Sequence, residues 1–353
     1  MKKDEKEFLK SLIETPSPSG FERSVAKIWR EFTKKFADRV YGDLHGNSFA
    51  VLNPQGKPKV MLAGHCDEVG LMINYIDDNG FLFFRPIGGL DRHILPASRV
   101  RIWTKKGPIL GVIGKKAIHV MPPEEREKVS KFENMWIDIG VTSKKEAEKL
   151  ISIGDVATMD VHFEEMTTKM MVGRGFDDRI GAYTIAQALR IISMRKTLKT
   201  SVTAVATVQE EIGLRGATTS AYSVNPDIGI AVDVTFASDH PDLDKRLLGD
   251  IKMGKGPVVD RGANINPKLF DLIVKTAKQK KIPIQISAAP RGTGTDANVI
   301  QLTRGGVATA LISIPNRYMH TPVELVHSSD VDNTALLIAE VVTNIKSKDQ
   351  FML

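Results

Sequence analysis

Apolar runs in this 353-residue chain are followed at once by groups able to bind metal or carry protons. His65 and Asp67 come after Lys59–Gly64 (KVMLAG), Glu210 and Glu211 after an alanine- and valine-rich run, and Asp233 after IGIAV. In open α/β sheets the groups beyond the carboxyl ends of the strands meet in one crevice, so these side chains are expected to converge. Asp177 and Asp178 precede a helical pattern, where a carboxylate can cap backbone amides, and His320 lies a few residues past a strand ending at Ile314. Imidazole plus carboxylate, with no thiolate in the set, suits zinc, cobalt or manganese at a catalytic site better than a structural zinc. So many carboxylates in one crevice would repel one another. Two divalent ions, about 3.5–4 Å apart with one carboxylate between them, would relieve that repulsion.

The adjacent pair Glu210 and Glu211 sets a local condition. Neighbours on a strand point to opposite faces, so both reach one site only where the strand has ended. Gly213 and Gly216 permit that turn.

The elements that must position these residues follow from periodicity. Helices are expected over 178–193, 214–222, 267–280, 296–302 and 329–346, and strands over 202–208, 228–232, 284–286 and 308–314. Ser19 and Glu22 form a capping-box pattern before a helical stretch reaching Phe36, and Asp43–Asn47 reads as a turn between strands. Helix–strand alternation implies an α/β sheet with helices on both faces. Between about 70 and 165 the texture is β-rich. Its clearest signal is the hairpin pattern LMINYI, Asp78-Asn79-Gly80, FLFF, and a second capping box stands at Ser143 and Glu146. The expected organisation is a catalytic domain over 1–69 and 166–353, with residues 70–165 as an insert.

Composition narrows the class. There are 49 Lys+Arg against 42 Asp+Glu, a formal charge of +7, but the basic residues are interleaved with acids, which argues against a nucleic-acid surface. A single cysteine, Cys66, excludes an internal disulfide and a cysteine-based metal cluster. No apolar run approaches a membrane span and no leader pattern is visible, so a cytoplasmic protein without membrane partners is expected. Cys66 is read as a packing residue.

The motifs GHCDEVG (64–70), FDDR (176–179), QEEIGLRGA (209–217), VDVT (232–235), GTGTDA (292–297) and RYMHTPVE (317–324) resemble the dinuclear metallo-aminopeptidases of the tetrahedral, dodecameric TET type. The resemblance runs in order over nearly the whole chain, and members are often labelled endoglucanases. It implies a doubly wound mixed sheet of the phosphorylase/hydrolase-like zinc-exopeptidase class with an inserted β-barrel. It also implies that His65 and Asp233 bind one divalent ion (zinc or cobalt, with manganese possible), that Glu211 and His320 bind the other, and that Asp177 bridges them. Asp67 would orient the His65 ring, Glu210 would be the general base, and Thr295 and Asp296 would contact short peptide substrates. Assembly into dimers through the β domain, and from these into an inward-facing dodecamer, is implied as well. His45, His93, His119, His162, His240 and His327 are expected to serve local structure, and Asp178 to act as a cap. A related dinuclear carboxypeptidase or amide deacylase uses the same ligand types. A glycoside hydrolase would need two carboxylates about a sugar and no metal.

Overall fold

The computed structural model describes all 353 residues apart from the side chain of Thr168. Two helices open the chain, α1 (Lys3–Glu14) and α2 (Arg23–Thr33), followed by β1 (Arg39–Gly42), β2 (Ser48–Leu52) and β3 (Lys59–His65). The inserted stretch holds β4 (Gly70–Ile76), β5 (Leu82–Ile87), β6 (Arg99–Thr104), β7 (Gly107–Lys115), α3 (Pro123–Arg126), β8 (Met135–Asp138), α4 (Lys144–Glu148) and β9 (Val156–Met159). Then come β10 (Glu164–Glu165), β11 (Met170–Gly173), α5 (Phe176–Ser193), β12 (Ser201–Thr207), α6 (Arg215–Val224), β13 (Ile228–Phe236), α7 (Lys245–Leu248) and β14 (Val258–Gly262). The chain closes with α8 (Pro267–Lys280), β15 (Gln285–Ala289), α9 (Ala297–Ile300), β16 (Ala308–Arg317), β17 (Glu324–His327) and α10 (Ser328–Asn344).

The main sheet is mixed and eleven-stranded, in the order β1-β2-β12-β3-β13-β16-β17-β11-β10, with β14 joining β16 and β15 joining β14. Its centre, β12-β3-β13-β16, is parallel, and antiparallel pairs flank it. The parallel strands are nearly continuous apolar runs because both of their faces are covered: β12 is buried throughout and β3 everywhere but its first residue. Helix α5 packs on β3, β12 and β13, with α1, α2 and α10 against it, while α6 and α9 pack together on the same strands. Residues of β4, β5, β8, β7, β6 and β9 close a six-stranded barrel around its own core of Leu71, Ile73, Phe84, Val100, Ile102 and Ile137.

Several expectations need correction. The capping box at Ser19 and Glu22 does not form: α2 begins at Arg23 without a side-chain cap, because both side chains are drawn to the strand-end loops instead. The hairpin turn is longer than a two-residue Asn-Gly turn. Gly80 N–H donates to Asp77, Asp77 N–H pairs with Phe81, and only Gly80 takes positive φ. At α4 the Ser143 hydroxyl caps Glu146 N–H as expected, but the Glu146 carboxylate accepts from Thr142 rather than from Ser143. Helix α1 and strands β10, β11, β14 and β17 were not expected, and β10, at 164–165, joins the main sheet just ahead of the boundary drawn at 166.

One close approach sets the position of the crevice at the strand ends. A methyl group at Gly64 would lie 2.6 Å from the backbone of Gly181, and one at Gly181 would lie 2.2 Å from the Asp178 carboxylate. The end of β3 and the start of α5 therefore touch backbone to backbone, a spacing only glycine allows. Gly64→Ala is expected to force them apart and to cost about 1–3 kcal/mol of unfolding free energy in a denaturant titration. A variant as stable as the parent would contradict this packing.

Candidate metal centre and active-site crevice

His65 is the last residue of β3, and its imidazole is buried. Its Nε2 lies 3.2 Å from Asp177 Oδ1 and 3.8 Å from Glu210 Oε2. The other Asp177 oxygen, Oδ2, lies 3.1 Å from His320 Nε2, and that same nitrogen is 3.4 Å from Glu211 Oε2. Asp177 thus divides its two oxygens between two imidazoles. Asp233 completes the His65 side: His65, Asp178 and Asp233 present donor atoms within 4.8 Å of one another, as do His65, Asp177 and Glu211.

Local backbone explains how adjacent residues reach one point. Strand β12 ends at Thr207, and Gln209 takes a positive φ of 56° before Gly213 and Leu214 N–H close a turn on the Glu210 carbonyl. Glu210 and Glu211 therefore sit off the strand, as their adjacency required. Gly216 is needed for space, since a Cβ there would lie 2.3 Å from the Val208 carbonyl oxygen. Asp233, in contrast, lies within β13 rather than past it, because the strand continues to Phe236; its carboxylate also accepts from Val234 N–H at 2.7 Å. Asp177 and Asp178 are joined by a cis peptide and have non-helical backbone, so regular α5 begins after them. Asp178 acts as the expected cap: its carboxylate accepts from Gly181 N–H at 3.0 Å and also from His65 N–H at 3.1 Å.

Two buried carboxylates brace the others. Asp67 accepts from Glu210 N–H and Glu211 N–H, both at 3.1 Å, and from the Ser19 hydroxyl. The His65 Nδ1 partner at 3.2 Å is the Asp67 carbonyl oxygen, with the carboxylate slightly farther at 3.5 Å. The nearer contact to the ring is thus the Asp67 carbonyl rather than the carboxylate that was expected to hold it, and the carboxylate mainly fixes the Glu210–Glu211 backbone. On the opposite side Glu324 accepts from Asp177 N–H at 2.8 Å and His320 N–H at 2.9 Å. Sequence reasoning gave Glu324 no role. The signal available was its place four residues after His320, in the RYMHTPVE motif. Behind this, buried Arg179 joins Glu68 to the carbonyls of Leu12 and Thr15, tying α1 to the start of α5.

The crevice is a cavity of about 630 Å³ lined by His65, Asp177, Glu210, Glu211, Asp233 and His320, and also by Asp260, Thr293 and Thr295. This size suits a small ligand. Thr295 reaches the wall. Asp296 does not: it is 2% exposed, and its carboxylate accepts from Thr207 Oγ1 at 2.6 Å. The remaining histidines stay outside the cluster; His45 meets Thr219 and His327 accepts from Ser329 N–H. Cys66 is fully buried, and burial holds its thiol well above the ordinary range, as a packing role requires.

The donor set fits divalent cations. Burial lifts Glu210 to about 10, partly offset by His65 and reinforced by Asp233, and burial beside Asp177 raises Asp233 strongly. Burial would lower His320, but the hydrogen bonds its ring donates to Asp177 and Glu211 push it up to about 11; His320 and His65 hold Asp177 below the usual carboxylate range against burial. Glu211 Oε1 is buried with no hydrogen-bond partner among the described residues. Carboxylates forced to share protons with two cationic imidazoles, together with an orphan oxygen, mark a centre whose missing positive charge a metal supplies.

The M42 glutamyl aminopeptidase family model matches residues 46–337. The chain belongs to that family. Among its M42 relatives, the lysyl aminopeptidase of Pyrococcus furiosus is 40% identical over 351 residues, covering 97% of this chain and 98% of that protein. The crystal structure of a TET aminopeptidase from a marine-sediment thaumarchaeon superposes with a TM-score of 0.94 at 34% identity, over 99% of each chain. The TET1 peptidase of Pyrococcus horikoshii, described as assembling into a tetrahedron or a large octahedral shell, matches with a TM-score of 0.86 at 32% identity, over 97% of this chain and 100% of that one. This M42 protein is accordingly a metal-dependent aminopeptidase.

Metal loading has a proton signature with a definite sign. Without cations Glu210 is pushed up to about 10 and His320 to about 11, so both hold protons at neutral pH, and His65 is raised as well; ligation requires neutral imidazole and ionised carboxylate. Adding zinc or cobalt to stripped protein at pH 7 is expected to release protons, read by an indicator dye in weak buffer. Absence of release would contradict the reading of the cluster.

Proposed function

We propose that the crevice holds two divalent cations and removes N-terminal residues from short peptides, with His65 and Asp233 serving one cation, Glu211 and His320 the other, and Asp177 both. The observation that carries this reading is the division of the Asp177 oxygens between His65 and His320. Zinc or cobalt suits the nitrogen and oxygen donors, with manganese a further option. When bound, such ions supply the positive charge that acidifies a water and polarises the scissile carbonyl. Glu210 takes the proton of the attacking water and delivers it to the leaving amine. Its carboxylate faces the cavity, and among the described residues no hydrogen bond is donated to it, which leaves both oxygens available for the transfer. Its backbone is fixed by Asp67, so the base does not wander. In this reading Thr295, on the cavity wall, touches the substrate, and Asp296, behind it, supports the loop through Thr207.

The same reading assigns residues 1–69 and 166–353 to the catalytic unit and the barrel over 70–165 to self-association. Tyr75, Leu110 and Val112 of the barrel are about half exposed, apolar surface suited to a dimer contact. Assembly of such dimers into a tetrahedral dodecamer would follow the TET structures, and cytoplasmic residence and freedom from nucleic acid and membrane complete the proposal. No helix among the described residues is long and apolar enough to cross a membrane.

Glu210→Gln is expected to keep its metals while turnover falls by roughly 100-fold or more, as for loss of a general base. Metal content by mass spectrometry and hydrolysis of free-amine and N-blocked aminoacyl anilides check both halves. Near-normal kcat in the variant removes Glu210 from the base role, and preference of the parent for blocked substrates favours the deacylase alternative.

A further inference from the structure

The turn that carries Glu210 is held by side chains from elsewhere in the fold. Beyond Thr207, the last residue of β12, the amides of Val208, Gln209, Glu210 and Glu211 donate to no backbone carbonyl among the described residues. Each donates to a side-chain oxygen instead. Val208 N–H reaches Asn47 Oδ1 at 3.2 Å, Gln209 N–H reaches Glu22 Oε1 at 3.0 Å, and Glu210 and Glu211 N–H reach Asp67. Asn47 closes the turn between β1 and β2, Glu22 stands just before α2, and Asp67 follows β3, so three distant parts of the chain converge on four consecutive amides.

Glu22 holds the residue on which this turn pivots. Gln209 takes a φ of 56°, the left-handed region that residues with a Cβ rarely adopt. That rotation swings the chain off the line of β12 and brings Glu210 and Glu211 to one crevice. A backbone of this kind persists only when its surroundings fix it. The Glu22 carboxylate is 6% exposed, and among the described residues no cation faces it. Its Oε1 accepts from Gly20 N–H at 2.7 Å as well as from Gln209 N–H, which folds the 20–22 segment against the turn. Burying a carboxylate is costly, and here the donors it meets are two backbone amides. Asn47 frames the other side. It is fully buried, and its Nδ2 donates to Asp43 Oδ2 at 2.8 Å and Thr219 Oγ1 at 3.1 Å, which leaves Oδ1 for Val208 N–H.

We propose that Glu22 is a positioning residue for the reaction: by accepting from Gln209 N–H it holds the left-handed turn that presents the Glu210 carboxylate to the crevice. The inference rests on the reading of Glu210 as general base and adds the group that fixes where that base stands. The reach of an acceptor oxygen matters here, rather than its charge.

Two conservative replacements separate reach from charge. Glu22→Asp keeps the charge but draws the oxygens back by one methylene, whereas Glu22→Gln keeps an acceptor oxygen at full reach. In the metal-loaded protein, kcat of Glu22→Asp on the best-hydrolysed aminoacyl p-nitroanilide is expected to fall roughly 30-fold, within the loss of up to about 100-fold that a small misplacement of a catalytic group causes. KM and bound metal stay unchanged, and Glu22→Gln recovers most of the lost turnover. Combining Glu22→Asp with Glu210→Gln adds no loss beyond that of Glu210→Gln, because a residue acting through the base has nothing left to position. Hydrogen exchange read by mass spectrometry gives an answer independent of turnover: peptides covering 208–213 exchange faster in Glu22→Asp, while those of β3 and α5 do not. An additive loss in the double variant, loss of bound metal, or faster exchange throughout the chain would make Glu22 a general structural residue and overturn the proposal. So would a Glu22→Asp variant as active as the parent, or a Glu22→Gln variant as slow as Glu22→Asp. Near-normal kcat in Glu210→Gln would overturn the base reading itself, whereas exchange at 208–213 reports on the Glu22 contact separately.

Discussion

Mutual repulsion among buried carboxylates governs this molecule. Asp177, Glu210, Glu211 and Asp233 are gathered at the ends of the central strands with the buried His65 ring and the partly exposed His320 ring. Desolvation and like charge make that gathering unfavourable unless cations enter, so the scaffold must hold the ligands before the cations arrive. The surrounding hydrogen bonds meet this demand. Asp67 grips the Glu210–Glu211 backbone on one side, and Glu324 grips Asp177 and His320 on the other. The ligand side chains are thus left free for metal, because the bracing falls on neighbouring backbone amides.

The fold serves the same constraint from below. Parallel β3, β12, β13 and β16 bring their carboxyl ends to one edge, and the glycine contact between β3 and α5 sets how near His65 and Asp177 stand. The short segment before α2 contributes too. Ser19 and Glu22, a capping pair by spacing, instead reach Asp67 and Gln209 N–H. Tertiary demand overrides the local motif here, because a buried carboxylate and a half-buried turn amide gain more from those side chains than a solvent-facing helix end does.

Periodicity was enough to read the central strands, most helices and the β-rich insert, because those elements are buried on regular faces. Strands β11, β14 and β17 escaped notice since they are short pieces of four or five residues that rely in part on long-range pairing. Helix α1 was hidden by its charge-rich start, although Phe8, Leu9, Leu12 and Ile13 make a buried stripe. At the site, residues able to ligate were legible from strand-end position and motif. Glu324 was not, since its importance lies in the Asp177 and His320 amides that the fold brings to it rather than in local spacing. Asp296 was over-read for a related reason: it follows Thr295 in sequence, but the chain turns it inward toward Thr207.

The claim that the carboxylates are organised around a pair of cations is tested most directly by anomalous diffraction from crystals grown with zinc or cobalt. Two peaks about 3.5–4 Å apart, with an Asp177 oxygen on each, His65 and Asp233 at one and Glu211 and His320 at the other, are predicted. A single peak, or two peaks with Asp177 contacting neither or only one, would contradict the account.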